Sequence, residues 1–213
     1  MEWYVLWDYR AHLLDGLILT VSLSAASIVG STMLGTVVGC LNDLRSLYLR
    51  RAISAYIEVM RNIPVVVKLF FLHFVVGLDG IPAALLSLIL HQSAYIADVT
   101  IAGLRSIPVG QRDAALACGH SEAEVFRYIL LPQVTRIIIP PLTTQYIQIV
   151  KNSAVVMLIA LEDLTFQTQL IEHQTFRGFE AAAAVTILYL LVVLVIVAVM
   201  ELLHKRIRWA SKR

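Results

Sequence analysis

The sequence predicts an all-α fold, a polytopic membrane helix bundle of about five transmembrane helices. Of the 213 residues, 59% are hydrophobic and 15% are charged, whereas soluble domains average about 45–50% and about 25%. The mean hydropathy of +0.78 points the same way. In the strands of membrane barrels, apolar and polar residues alternate, whereas the long apolar runs of this chain show no such alternation. They therefore favour helices, whose backbone hydrogen bonds are all internal.

Five segments are long and apolar enough to be candidate spans. The clearest is 181–200, twenty residues without a charge, which at 1.5 Å per residue covers the roughly 30 Å hydrocarbon core. The others are about 16–41, 52–76, 81–104 and 137–161. The chain shows no second domain, so we expect one transmembrane domain over 1–213 with a polar loop at about 105–136.

Basic residues outside the spans predict the orientation, because Lys and Arg are enriched in cytoplasmic loops. Twelve fall in three segments that belong to one side: Arg45, Arg50, Arg51, Arg105, Arg112, Arg127, Arg136, Lys205, Arg206, Arg208, Lys212 and Arg213. The other side has Arg10 and Arg177. We therefore expect a multi-pass membrane protein with its N-terminus outside and its C-terminus in the cytoplasm. The net charge of +2 reflects topology and indicates no nucleic-acid partner.

Ionisable residues inside the predicted spans need a partner, water or a function, because each costs about 2.5–3.5 kcal/mol at a helix centre. Glu58 and Arg61 are three residues apart in the second span and are predicted to form a structural charge pair along one helix face. An anchor near the membrane surface is the alternative for Arg61.

A second group of polar residues is a candidate substrate path. Gln92, Tyr95 and Asp98 are three apart in the third span, and a polar stripe follows the helical period in the fourth. Two acids follow on the predicted outer side. The candidates are Tyr95, Asp98, Gln148, Asn152, Ser153, Glu162 and Asp163. Helix–helix hydrogen bonds, a basic partner for Asp98 and simple solvation of the two acids are the structural alternatives.

No motif for catalysis or metal binding is present. The sequence has no HExxH or G-x-S-x-G pattern and no G-x-x-x-x-G-K-[ST] phosphate loop. We therefore expect no enzyme activity, no metal site and no cofactor on this chain.

The loop at 105–136 has the pattern of two short helices joined at a kink. A helix-forming run ends at Gly119, and Ser121 with Glu124 fits a capping box that opens a second helix. Val125, Phe126, Ile129 and Leu130 then fall on one side of that helix, which is expected to end at Pro132 before the fourth span. An apolar face at this place predicts a docking partner, although packing under its own bundle is the alternative.

The spacing within this loop resembles a known signature. Asp113-Ala114-Ala115, Gly119, Ile129, Leu131 and Pro132 stand as in the EAA loop of the membrane-spanning subunits of bacterial ABC importers. Segments 61–74, 93–99, 106–115 and 130–136 are similar to polar amino acid importer permeases in particular, over roughly 14–208. The departures are Asp113 where Glu is usual, His120 where an apolar residue is usual, and Lys68 where Gln is common.

The resemblance implies a type I ABC importer permease-like fold and a transmembrane permease subunit that moves polar amino acids across the bacterial inner membrane. It implies that these seven residues couple the spans to a separate ATP-binding subunit, which would receive the loop in a surface groove and would hold ATP and Mg²⁺. The other implied partners are a second permease subunit, identical or paralogous, an extracytoplasmic substrate-binding protein and membrane lipid. We call 105–136 the coupling loop on this basis.

Two functions of other classes remain as alternatives. An ion-coupled secondary transporter would explain the intramembrane charges, but the internal repeats or matched helix breaks typical of that class are missing from the sequence. A non-transporting membrane scaffold would explain the amphipathic loop but not the polar stripe of the fourth span.

Overall fold

The computed structural model describes residues 3–43 and 46–210, and within these ranges the chain forms helices and no strands. The α-helices are α1 (Tyr4–Asp8), α2 (Arg10–Leu41), α3 (Leu47–Asn62), α4 (Val65–Phe70), α5 (Gly80–Arg105), α6 (Val109–Ala117), α7 (Glu122–Glu124), α8 (Leu131–Ser153), α9 (Leu164–Thr175) and α10 (Gly178–Ala210). π-Helical turns at Phe71–Val75 and Val125–Leu130 extend α4 and α7, and a 3₁₀ segment at Ala154–Ile159 extends α8. Of the basic residues that predict topology, Arg45, Lys212 and Arg213 lie outside the described residues.

The predicted spans correspond to the long helices, with two differences. In the described part of the chain, α2, α5 and Gly178–Ile207 of α10 are long and apolar enough to cross a membrane. Glu122–Ile159 and Leu164–Thr175 add a fourth span if this pair, bent by 48°, is counted together. The predicted second span, 52–76, is broken into α3 and α4, and α9 was not predicted.

The break in the second span lies at Ile63 and Pro64. Ile63 has extended backbone angles, as expected before a proline, whose ring disfavours a helical residue ahead of it. The ammonium group of Lys68 is folded back to this break, where its Nζ donates to the carbonyls of Met60 (2.6 Å) and Ile63 (2.8 Å). Lys68 is only 7% exposed. Its burial is explained because it satisfies carbonyls at the C-terminal end of α3.

α2 and α5 form the most extensive helix pair of the bundle. Small residues recur every fourth position along α2, and Ser27, Ser31, Gly35 and Gly39 are all buried. A Cβ atom added at Gly35 would lie 2.6 Å from the carbonyl oxygen of Ser93. Small residues at this spacing allow two membrane helices to approach closely, because packing rather than hydrophobicity drives their association in lipid. The sequence signal of this stripe is a small residue at every fourth position of α2.

The three segments rich in basic residues meet at one end of the bundle. Arg112 of α6 reaches Asp43 at the end of α2, and Ile207 of α10 packs against the apolar cluster that contains Ala115 and Val125. The opposite end contains α1 and α9, where the hydroxyl of Tyr9 donates to Gln174. This arrangement agrees with the two sides that the charge pattern predicts.

Candidate functional site

A polar cavity of about 310 Å³ lies between α5 and α8. We call it the amide cavity, because four carboxamide side chains line it. Gln92 of α5 donates to Gln145 of α8 across the helix pair, with Nε2 and Oε1 2.6 Å apart. The lining residues are His91, Gln92, Tyr95, Thr144, Gln145, Gln148 and Asn152. Three predicted path residues, Tyr95, Gln148 and Asn152, thus lie together in one cavity.

Asp98 does not line the amide cavity but lies one helical turn from it. Its carboxylate accepts from Nη1 of Arg61 in an ion pair between α3 and α5. The guanidinium carbon of Arg61 also lies 4.9 Å from the ring centroid of Tyr95. These residues line a second cavity of about 560 Å³, the ion-pair cavity, which shares Tyr95 with the amide cavity.

The predicted pair between Glu58 and Arg61 is therefore wrong. Their spacing along α3 permits contact, but α5 packs beside α3 and offers Arg61 both a carboxylate and an aromatic face. Glu58 instead lines the ion-pair cavity. Arg61 and Asp98 are 37 residues apart in sequence, and only the packing of α3 against α5 brings them together.

The remaining path candidates have different environments. Ser153 is fully buried, and its hydroxyl donates to the carbonyl of Val150 on its own helix. Glu162 is exposed in the connection before α9, as expected of a solvated acid.

Asp163 is a structural cap and not the outward-facing anion that the sequence predicts. It is fully buried, and one carboxylate oxygen accepts the backbone N–H of Phe166 (2.9 Å) at the start of α9. The other accepts the hydroxyl of Tyr189 from α10 (3.0 Å). A carboxylate at a helix N-terminus satisfies a free N–H and favours the helix dipole. The contact with α10, which buries Asp163, cannot be recognised from local sequence.

The coupling loop has the predicted helix, kink, helix geometry. Gly119 joins the two helices with a φ of +90°, a conformation that side-chain-bearing residues rarely adopt. The capping box is present, since the hydroxyl of Ser121 accepts the N–H of Glu124 and the Glu124 carboxylate accepts the N–H of Ser121. The backbone N–H of Ser121 and, second, its hydroxyl both donate to the Glu124 carboxylate, and these two hydrogen bonds lower the pKa of Glu124.

The exposed surface of the coupling loop comprises Asp113, Ala114, Gly119 and their neighbours, whereas Ala115 is buried. A Cβ atom at Gly119 would meet nothing within 4 Å. The kink is therefore open to a partner, and the free space around it is not needed for packing within this chain.

The apolar face of the second helix has a different role from the predicted one. Val125 and Leu130 are buried, and Phe126 and Ile129 pack on the same cluster, which includes Ile107, Val134, Ile138 and Met200 of this chain. Most of the face is therefore covered by its own bundle, which is the structural alternative left open above, and Phe126 and Leu130 also line an apolar cavity beside α2. Local periodicity identifies an apolar face but cannot say what covers it.

Pro132 also lies inside a helix and does not end one. Together with the half-buried Leu131 it forms the first turn of α8, which continues directly from the π-helical turn Val125–Leu130. The N–H that Pro132 lacks falls at this junction, where the backbone changes from the π-helical to the α-helical hydrogen-bond pattern.

Three charged residues connect the coupling loop to α2. Arg112 of α6 donates to Glu122 of α7 through Nη2 (2.7 Å) and Nε (3.1 Å), and to Asp43 after α2 through Nη1 (3.2 Å). Hydrogen bonding to Glu122, followed by the charge of Asp43, raises the pKa of Arg112 despite its partial burial. No local sequence signal marks this cluster, because Asp43 is 69 residues from Arg112.

The comparisons with known proteins agree with this architecture. A family model described as "Binding-protein-dependent transport system inner membrane component" matches residues 31–209. The chain therefore belongs to this family. This inner membrane component is 30% identical to the glutamine transport system permease protein GlnP of Escherichia coli (strain K12), over 97% of this chain and 98% of that protein. It is 31% identical to the probable glutamine ABC transporter permease protein GlnM of Bacillus subtilis (strain 168), over 95% and 96%.

Further relatives and solved structures extend the picture of this inner membrane component. The glutamate/aspartate import permease protein GltJ of E. coli (strain K12) is 28% identical over 94% of this chain and 89% of its own length. The structure of an amino acid ABC transporter with histidines superposes with a TM-score of 0.88 at 27% identity, covering 97% of this chain and 99% of that one. The inward-facing MetNI methionine transporter, at 22% identity, 94% and 98% coverage and a TM-score of 0.81, shares the fold. The fold is thus that of type I ABC importer permeases, as predicted.

Proposed function

We propose that the chain is the permease subunit of an ATP-driven importer and carries a polar amino acid through the amide cavity. The cavity supports this function because it places amide and hydroxyl groups of two facing helices around one space, which is open at Thr144 and Gln148 on the surface of this chain. Polar side chains in lipid are costly unless they face protein, water or cargo. The names of the relatives, which include glutamine and glutamate/aspartate permeases, support an amino acid as the cargo.

The chemistry of the lining favours an amino acid whose side chain is uncharged. Among the residues that line the amide cavity there is no Asp, Glu, Lys or Arg. A charged side chain would enter without a counter-ion, whereas a carboxamide could exchange hydrogen bonds with Gln145, Gln148 and Asn152. The neighbouring Arg61 and Asp98 carry opposite charges, and their side chains are 45% and 40% exposed. This pair matches the carboxylate and ammonium groups that every amino acid carries.

The energy for transport comes, in this proposal, from a separate ATP-binding subunit that docks on the open kink of the coupling loop and holds ATP and Mg²⁺. Asp113, Ala114 and Gly119 form the contact surface, while Ala115, Ile129, Leu131 and Pro132 hold that surface in place from within the chain. A second permease subunit, an extracytoplasmic binding protein and membrane lipid complete the assembly. The N-terminus faces outside, and the end that contains the coupling loop faces the cytoplasm.

The experiment is purification of the chain from its native membrane in mild detergent, followed by mass spectrometry and by uptake assays in proteoliposomes. We expect an ATP-binding subunit to co-purify and ATP-dependent glutamine uptake that excess glutamate or lysine inhibits only weakly. Recovery of the chain alone, with uptake driven by an ion gradient, would instead establish a secondary transporter. Equal inhibition by all three amino acids would refute the uncharged substrate.

Two glycine variants test the docking surface. Gly119→Leu should abolish recovery of the ATP-binding subunit, because the new side chain occupies the kink. Gly110→Leu is the matched control, since a Cβ atom there also meets nothing within 4 Å. Gly119→Asn separates crowding from backbone strain, because Asn tolerates positive φ better than most residues. Normal recovery with Gly119→Leu would refute docking at this kink.

A further inference from the structure

The apolar side chains of the coupling loop and of α2 are not closely packed against each other. An apolar cavity of about 730 Å³ lies between the last turns of α2 and the α7 region. Thr36, Val37, Cys40 and Leu41 line it from α2, and Ala123, Phe126, Leu130 and Leu131 line it from the other side. Close-packed side chains resist displacement, but a cavity of this size leaves the two sides free to shift relative to each other. A displacement of the coupling loop therefore cannot be transmitted to α2 by apolar packing alone and requires another contact.

Arg112 provides a direct contact between the coupling loop and the end of α2. It lies at the rim of this cavity together with Asp43 and Glu122. Its guanidinium group binds α7 with two nitrogens and the end of α2 with the third, so that one side chain joins α6, α7 and α2. Arg112 and Asp43 are 28% and 29% exposed, which reduces screening by solvent compared with a fully exposed pair.

The geometry of the arginine suits this task. The planar guanidinium presents several donors in fixed directions, so a change in the angle between α6 and α7 changes where it holds Asp43. Lysine offers a single point charge and could not bridge both carboxylates in this way. Arg112 is also next to Asp113, which belongs to the proposed contact surface for the ATP-binding subunit.

We propose that Arg112 is a positioning residue that transmits movement of the coupling loop to α2, in addition to the covalent route through α8. This inference rests on the proposed function, because it assumes that an ATP-binding subunit moves the loop. Arg112 itself lies beside the contact surface and contacts this chain. Removing it should therefore leave the subunits assembled while less of the ATPase cycle is converted into transport.

The test compares Arg112→Gln with Arg127→Gln in proteoliposomes of the co-purified complex. Arg127 is a matched control, since it lies in the same loop and packs on the ring of Tyr128, 5.8 Å from the centroid. The measurement is amino acid imported per ATP hydrolysed. We expect this ratio to fall on the order of fivefold for Arg112→Gln, within the range by which residues along coupling networks alter coupling, and to be unchanged for Arg127→Gln.

Two further variants locate the route. Asp43→Asn should reproduce the loss, and the Asp43→Asn, Arg112→Gln double variant should be no worse than either single one, because both substitutions break the same link. A purely structural role would instead lower thermal stability and reduce ATP hydrolysis and transport in proportion. An unchanged ratio in an assembled complex would overturn the inference alone, whereas failure to recover any ATP-binding subunit from the unmodified chain would overturn the proposed function.

Discussion

Asp163 and Glu162 are adjacent acids with opposite environments, and this difference gives a quantitative prediction. Replacing Asp163 by Ala removes the cap of α9, which costs about 1 kcal/mol. It also removes one hydrogen-bond partner of the Tyr189 hydroxyl, at a cost of about 1–2 kcal/mol. The free energy of unfolding should therefore fall by about 2–3 kcal/mol. Each kcal/mol lowers the midpoint by about 2–4 °C in a chain of this size, so we expect a decrease of roughly 4–12 °C.

The assay is thermal unfolding of the purified protein in one detergent, followed by circular dichroism. Glu162→Ala is the control and should change the stability by less than about 0.5 kcal/mol, because Glu162 is exposed. Asp163→Asn should retain most of the stability, since Asn caps a helix about as well as Asp. If Asp163→Ala melted like the unmodified chain, the capping argument would be refuted. A raised KM for Asp163→Asn at normal stability would show instead that its charge attracts substrate.

Three other substitutions follow from local contacts. Gly35→Ala should destabilise the fold by about 1–3 kcal/mol through overpacking of α2 against α5, whereas Gly110→Ala should be neutral or slightly stabilising; thermal unfolding distinguishes them. Lys68→Ala leaves the carbonyls at the α3–α4 break without their donor and should lower the free energy of unfolding by about 1–3 kcal/mol. Lys68→Met also removes the donor and should lower the stability by a similar amount in the same assay. Because the pKa of Glu124 is lowered, the capping box stabilises α7 fully at pH values above the ordinary Glu pKa, and this stabilisation is lost as the pH falls through the lowered pKa. Hydrogen exchange of the α7 amides, corrected for intrinsic rates, should show this loss. Glu124→Ala should remove the pH dependence.

The sequence by itself determined the features that depend on neighbouring residues. Composition and apolar run length identified membrane helices, and fixed spacing identified the Gly119 kink and the Ser121 capping box, because helices, caps and turns are stabilised by residues within a few positions of one another. The family was also readable from motifs such as Asp113-Ala114-Ala115. The break at Pro64 had a visible signal, since a proline interrupts the backbone hydrogen bonds of a helix.

Tertiary structure decided everything that depends on which helices are neighbours. It paired Arg61 with Asp98 in place of Glu58, buried Asp163 against α10 and covered the apolar face of Phe126 with the bundle itself. It also brought Arg112 to Asp43 across 69 residues. Charge pairing and burial depend on distances in space. The partners of a side chain along its own helix follow from sequence spacing. Its partners on other helices are determined only by how the helices pack.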